Sequence, residues 1–340
     1  MPAWLDSPRM RFDRAMQVVT DGQQVCFGSS SDGAVYSLDL KTGDVQWVFY
    51  TEGPIRFAPA MRGDRLFVAS DDGHLYALST RDGRLLWTVR GGPSGRRVIG
   101  NLRMVSKWPA RGGPVVVDDV VYFAAGIWPS DGIYLYAIST ETGKVMWCNS
   151  DSGAIYMPQP HGGANAQSVV SAQGYLVVSG YHLIVPTGRA VPASFNRHTG
   201  EFEYFHLQKY GQNGETPTMA IGDVFFNSGL SFNVQGGEKI ASVGTGKLAG
   251  TREGIVRAFD GKVSQYRWLD QEKPGRRGEL VKTRGLETEW TCEGVPTAAA
   301  IAVAANKIVL GCQDTVVVVD RHRQEMVWQA DIEGVACGLA

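Results

Sequence analysis

The chain of 340 residues has little that would mark it as a membrane, nucleic-acid-binding or metal-binding protein. Its 33 basic and 34 acidic residues leave a net charge of −1 with no run of one sign, so no electrostatic footprint for nucleic acid or an anionic membrane is present. The five cysteines, Cys26, Cys148, Cys292, Cys312 and Cys337, are odd in number, widely spaced and free of any CxxC pair, which excludes a disulfide framework and a zinc site at recognisable spacing. Cys26 and Cys312 lie in apolar strand-like runs and read as small buried residues. No apolar signal core opens the chain, and the most apolar run, Ala298 to Ala305, is too short to span a bilayer. A catalytic motif is also missing: no nucleophile stands near a base, no paired carboxylates stand out, and GTG at 244–246 and GG at 162–163 lack the strand, helix and spacing of a phosphate loop.

What the chain does have is glycine, 42 residues of it, with 15 prolines and an apolar fraction of 44%. That composition describes a turn-rich, all-β globular protein. One unit recurs: AVYSLDLKTGDVQW at 34–47, HLYALSTRDGRLLW at 74–87 and YLYAISTETGKVMW at 134–147. Weaker copies are VPASFNRHTGEFEY at 191–204, IVRAFDGKVSQYRW ending at Trp268 and VVVVDRHRQEMVW ending at Trp328. In each copy the small polar residue closing the first apolar run stands eight positions before an aromatic, giving Trp47, Trp87, Trp147, Tyr204, Trp268 and Trp328. Period-2 alternation on both sides of a polar turn predicts a hairpin, and Gly43, Gly83, Gly143 and Gly200 suit a turn position needing positive φ. Two further strand-like runs precede most hairpins, such as RFAPAM and RLFVAS before Tyr76, so the expected unit is a four-stranded antiparallel sheet.

Such sheets bury both faces by stacking radially, and six to eight of them as the blades of a β-propeller are expected over residues 15–340, after an extension at 1–14. The segment Thr216 to Thr245 reads as a degenerate blade without the tryptophan. The final run IEGVACGLA reads as a first inner strand lacking its blade: either it closes the ring onto the N-terminal blade or the chain is a piece of a longer one. The turn between strands three and four is expected to be tight throughout. The extra residues at 90–113, 149–167 and 270–296 are read as blade-to-blade connections that elaborate the opposite face.

The repeat, Tyr/Val-x-Leu/Phe-Asp/Ser-x-x-Thr-Gly-x-x-x-Trp, resembles the tryptophan-docking motif of PQQ-type propellers, found in quinoprotein alcohol dehydrogenases and in outer-membrane assembly lipoproteins. Stretches such as GPIRFAPA and RRVIGNLRMVSKWPARGG are similar to uncharacterised bacterial PQQ-like repeat proteins. The resemblance implies that the six aromatics pack between neighbouring blades, and it implies an extracytoplasmic location.

Two functional readings follow. In the first the chain is a binding or interaction scaffold without chemistry, taking a protein, peptide or small anionic ligand on the elaborated face. Its candidate residues are Arg103, Trp108 and Arg111 in the first insertion, and His161 and Asn165 in the second. Arg56 and Arg189 join them, each beside glycine and proline and able either to face a central channel or to pair with an acid such as Asp71 or Asp72. The alternative is a quinoprotein dehydrogenase, or a fragment of one, using PQQ and calcium. Against it, no adjacent cysteine pair exists and no Glu, Asn and Asp set stands out. SSSDG at 29–33 and ASDDG at 69–73 recur at one strand turn and read as structural, so neither a cofactor nor a metal is predicted.

Overall fold

A computed structural model describes residues 17–100, 103–152, 155–159, 163–168, 170–188, 190–207, 214–251, 253–274 and 280–340. The extension at 1–14, His161 and Arg189 lie outside the described residues. Apart from one 3-10 turn at Pro129–Asp131, every regular element among the described residues is a strand. The chain forms two compact units, Met1–Pro217 and Thr218–Ala340.

The first unit holds four antiparallel sheets. Sheet 1 contains β1 (Val18–Thr20), β2 (Gln24–Gly28), β3 (Ala34–Asp39) and β4 (Val45–Tyr50). Sheet 2 contains β5 (Ala60–Arg62), β6 (Arg65–Ala69), β7 (His74–Ser79) and β8 (Leu85–Arg90), followed by a separate hairpin of β9 (Arg97–Gly100) and β10 (Arg103–Ser106). In sheet 3 the strands are β11 (Gly112–Val117), β12 (Val120–Ala125), β13 (Tyr134–Ser139) and β14 (Val145–Asn149), and a second hairpin follows, β15 (Ile155–Pro158) and β16 (Asn165–Ser168). A short strand β17 (Gly174–Tyr175) runs parallel to β11 before sheet 4, made of β18 (Val177–Ser179), β19 (His182–Val185), β20 (Val191–Asn196) and β21 (Phe202–His206). Each sheet is a meander in sequence order, as local hairpin pairing dictates.

The second unit holds three more. Sheet 5 has β22 (Thr218–Ile221), β23 (Val224–Asn227), β24 (Leu230–Asn233) and β25 (Lys239–Ser242), so the segment read as a degenerate blade is a complete four-stranded sheet. Sheet 6 has β26 (Lys247–Gly250), β27 (Gly254–Phe259), β28 (Lys262–Pro274) and β29 (Leu280–Glu293), and sheet 7 has β30 (Ala298–Ala304), β31 (Lys307–Asp320) and β32 (Glu325–Val335). A straight strand the length of β31 would hold its ends about 40 Å apart. Instead Lys307 is ion-paired with Asp320, and the Arg321 N–H donates to the Asn306 carbonyl at 2.8 Å. β31 therefore folds back at Asp314, where φ is 57°, and its two halves act as the second and third strands of a four-stranded sheet like the others.

Two expectations are corrected here. Residues 332–335 of the final run are the far end of β32, the outer strand of sheet 7, and not a first inner strand. Residues 270–296 are not a blade-to-blade connection: β28 and β29 pair from Lys262↔Glu293 out to Pro274↔Leu280, so the third-to-fourth-strand hairpin itself is extended. The tight turn holds in every sheet except this one.

Packing between sheets explains the aromatic repeat. In sheet 1, Ser37 pairs with Trp47 while Leu38 pairs with Val45, leaving Gln46 in a bulge. The same step places Trp87, Trp147 and Tyr204 in sheets 2, 3 and 4. The bulge turns the aromatic toward the next sheet, where the Trp47 indole donates to Thr80 O (2.9 Å), Trp87 to Thr140 O (3.1 Å) and Trp147 to Arg197 O (2.9 Å). Each indole lies flat on the next sheet's turn glycine. A Cβ on Gly83, Gly143 or Gly200 would fall 2.6, 2.8 or 2.5 Å from the tryptophan ring, so glycine is needed for close approach as well as for its positive φ. Buried Leu66, Val68 and Leu78 complete the junction of sheets 1 and 2, and Val121, Phe123 and Ile138 that of sheets 2 and 3.

In the second unit the extended hairpin shifts the pattern. The docking bulge of sheet 6 falls at Gln265↔Trp290 and Tyr266↔Thr288, so Trp290 holds that place and packs with Ile308, Leu310, Val317 and Val319 of sheet 7. Trp268 sits on the third strand instead and faces back, against Phe226 at a centroid distance of 6.0 Å. Sheet 5 carries Ala241 at its own docking bulge, and Trp268 fills the space between sheets 5 and 6 from the opposite side. Trp328 occupies the bulge of sheet 7 yet is 52% exposed.

Candidate functional site

The loops joining second and third strands, and the connections between consecutive sheets, meet at one end of each sheet in the first unit. The recurring acidic turns there are structural. Asp32 accepts from the Tyr36 hydroxyl (2.5 Å) and the Ala34 N–H, while Asp72 accepts from the Tyr76 hydroxyl (2.7 Å), the His74 N–H and the Glu52 N–H. Burial and the Asp72 charge both raise the Tyr76 phenol far above its ordinary range, so it stays a donor. The next residue, Asp71, is the hub of this end. It is 1% exposed and takes the Arg56 Nε at 2.5 Å and the Arg111 Nε and Nη2, both at 2.9 Å. The connection from sheet 1 supplies one guanidinium and the connection to sheet 3 the other, so a single carboxylate ties three sheets together. Beside it the Ala58 N–H donates to the Tyr175 hydroxyl oxygen at 3.2 Å, and burial pushes that phenol up to about 12.

The other predicted residues divide clearly. Trp108 is buried between sheets 2 and 3, and its indole donates to Asp131 O at 2.6 Å. Arg103 donates to the Ser30 and Ser31 carbonyls, and Arg97 of the same hairpin pairs with Glu52. These contacts pin the β9–β10 hairpin to the loops of sheet 1. Asn165 is exposed on β16, opposite Pro158. The structure thus brings Arg56 and Arg111 together on Asp71, and places Arg103, Trp108 and Asn165 elsewhere. Among the described residues no group of three His, Cys, Asp or Glu is placed to hold a metal ion, and no helix is long and apolar enough to cross a membrane.

Residues 4–228, more than half of the chain, match the family model described as outer membrane protein assembly factor BamB. The chain belongs to this family. Among curated proteins, tetrathionate hydrolase of Acidithiobacillus ferrooxidans is 25% identical over 124 residues, 36% of this chain and 21% of the enzyme, so only about a fifth of that relative's length is matched. Among solved structures, BamB from Moraxella catarrhalis is 16% identical, with 87% of this chain and 81% of that chain covered and a TM-score of 0.54. Quinohemoprotein alcohol dehydrogenase ADHIIG from Pseudomonas putida HK5 is 13% identical, with 97% and 68% covered and a TM-score of 0.63. At these identities the likeness shows the fold, a PQQ-like β-propeller, which hosts enzymes and scaffolds alike.

What this BamB-family chain leaves exposed at the elaborated end differs from the residues the sequence singled out. The β9–β10 hairpin presents Val98, Ile99 (80% exposed) and Met104, the loop of sheet 3 presents Trp128 (66%), and β15 presents Tyr156 (67%). The signal was available: apolar side chains in insertions that no core requires. Arginines drew attention instead, because charge is conspicuous in sequence while its pairing is not.

Proposed function

We propose that the chain is a non-catalytic binding scaffold of the cell envelope that engages a protein or peptide through the insertion-rich end of its first unit. The observation carrying this reading is the β9–β10 hairpin, which exposes Ile99 and Met104 while Arg97 at its base and Arg103 beside its turn anchor it. Exposed apolar side chains on an anchored frame offer a partner burial without a large ordering cost. Most of the guanidinium charge at this end is satisfied internally, so recognition by apolar and aromatic contact is favoured over capture of a small anion. The envelope assignment rests on the family, whose description names outer-membrane assembly.

The test is site-specific photo-crosslinking in the envelope fraction, with the probe at Ile99, Met104 or Trp128 and, for comparison, at Lys41 and Arg81 in turns at the opposite end. A discrete adduct from the first set and none from the second is expected. Equal adducts from both ends overturn the reading. So does saturable binding of PQQ with calcium, followed by quinone absorbance, accompanied by dye reduction on an alcohol.

A further inference from the structure

One arginine of the second unit lacks the kind of partner its neighbours have. Arg267, Arg284, Arg321 and Arg323 each pair with a carboxylate, whereas Arg257 makes no ion pair with a described residue. It is held all the same. Its Nε donates to Thr245 O at 2.8 Å in the connection from sheet 5, its Nη1 donates to the Tyr266 hydroxyl at 3.3 Å, and its guanidinium lies over the Phe259 ring, 4.7 Å from the centroid. A Cβ on Gly244 would stand 3.3 Å from Nη2, so the connection passes close beside the group. A guanidinium carries five N–H donors, and these contacts use only the one on Nε and one on Nη1.

Arg257 lines a cavity of about 210 Å³ together with Phe259, Asp260, Lys262 and Ser264. Strand register builds it. Across β27 and β28, Arg257 faces Ser264 and Phe259 faces Lys262, while Ala258 and Val263 between them turn to the other side, into the core with sheet 7. Phe259 keeps 48% of its surface exposed. The other charges are already balanced or negative: Lys262 Nζ is paired with Glu293 at 2.5 Å, and Asp260 adds a carboxylate to the lining. We propose that this cavity binds a small monocarboxylate with an apolar body, the carboxylate on the Arg257 guanidinium and the body on the Phe259 ring. The site is separate from the partner surface of the first unit. A guanidinium fixed in advance recognises a carboxylate with little ordering cost. The cavity is smaller than the roughly 300–1,000 Å³ of sites for drug-sized ligands, which limits the body to about the size of an amino-acid side chain. Asp260 and Glu293 repel a dianion, so phosphate is disfavoured.

The test is a ligand-observed NMR titration of the full chain with phenylacetate, its neutral isostere phenylacetamide and inorganic phosphate, repeated in Arg257→Gln and Phe259→Ser. Phenylacetate is expected to bind saturably, with the amide, phosphate and Arg257→Gln each weaker by about tenfold or more, and Phe259→Ser weaker severalfold. Should Arg257→Gln unfold the chain, judged by near-ultraviolet circular dichroism, Arg257→Lys replaces it with the same expectation, because an ammonium keeps the charge and loses the planar fork. A tripeptide ending in phenylalanine distinguishes the two sources of such a carboxylate: tighter binding than phenylacetate assigns the site to a peptide terminus, weaker binding to a free acid. No saturable binding of phenylacetate, equal binding of acid and amide, phosphate binding as tightly as phenylacetate, or an affinity unchanged by the Arg257 substitution overturns the proposal.

Discussion

Gly143→Ala and Gly43→Ala make the same chemical change in the same kind of turn, and the structure assigns them different costs. Both glycines are left-handed, at φ 71° and 75°, so both alanines pay about 1–2 kcal/mol for backbone strain. At Gly43 the new methyl meets nothing. At Gly143 it would lie 2.8 Å from the Trp87 ring, well inside the 3.5–4.0 Å optimum, so the indole must retreat by about 1 Å. That retreat stretches the 3.1 Å bond from Trp87 to Thr140 O, worth about 1 kcal/mol. It also loosens the indole against Phe67 and its neighbours, a fraction of the roughly 3–5 kcal/mol that complete removal of a buried tryptophan costs, about 1–2 here. The expected losses are therefore about 3–5 kcal/mol for Gly143→Ala and about 1–2 for Gly43→Ala. Both lie in the first unit, so urea unfolding followed by circular dichroism compares them on one transition. Equal losses, within about 0.5 kcal/mol, would refute the claim that these glycines exist for the tryptophan above them.

Trp87→Ala should cost about 3–5 kcal/mol, and Arg103→Ala, which releases an exposed anchor, should change stability little; thermal melts in the reverse order would count against the packing described. Trp290→Ala should lower the stability of the second unit by about 3 kcal/mol while Trp328→Ala alters that unit's stability far less, a contrast readable by urea unfolding. Asp71→Asn leaves two buried guanidiniums facing a neutral amide and should cost about 3–5 kcal/mol, with the loss reduced when Arg111→Met is added; a surface-like loss under 1 kcal/mol would show that Asp71 is not the hub. Asp320 is held below the usual carboxylate range by the Lys307 ammonium and by backbone N–H groups of Arg323 and His322. A depressed folded pKa means that its stabilisation is present above the unfolded value near 4 and is lost as pH falls below it, so acid sensitivity of the second unit in that range should flatten in Lys307→Met. Burial pushes the Cys26 thiol up to about 11, so a thiol reagent at pH 8 should label exposed Cys148 promptly and Cys26 only on unfolding.

The hairpins, the four-stranded unit and the place of the aromatic in sheets 1 to 4 are legible in the sequence, because each depends on contacts within about a dozen residues. Alternation, turn chemistry and the one-residue bulge are local, and the fixed offset of eight records them. Where a hairpin lengthens, as between Lys262 and Glu293, the offset counts along the wrong arm: it arrives at Trp268, while the docking bulge has moved to Trp290. A trace of the true position survives in the residues after Trp290, where CEGVP echoes TEGPI after Trp47. The role of the arginines was decided only by tertiary structure. Arg56 and Arg111 read as ligand-seeking charges until folding brings them, from positions 15 and 40 residues away, onto one buried Asp71. Long-range pairing of charge is set by how sheets stack, and stacking leaves no periodic mark on the chain. The same holds for the aromatics: Trp47 and Trp328 carry the same motif, and only the fold shows that the first lies on a glycine turn while the second is half-buried.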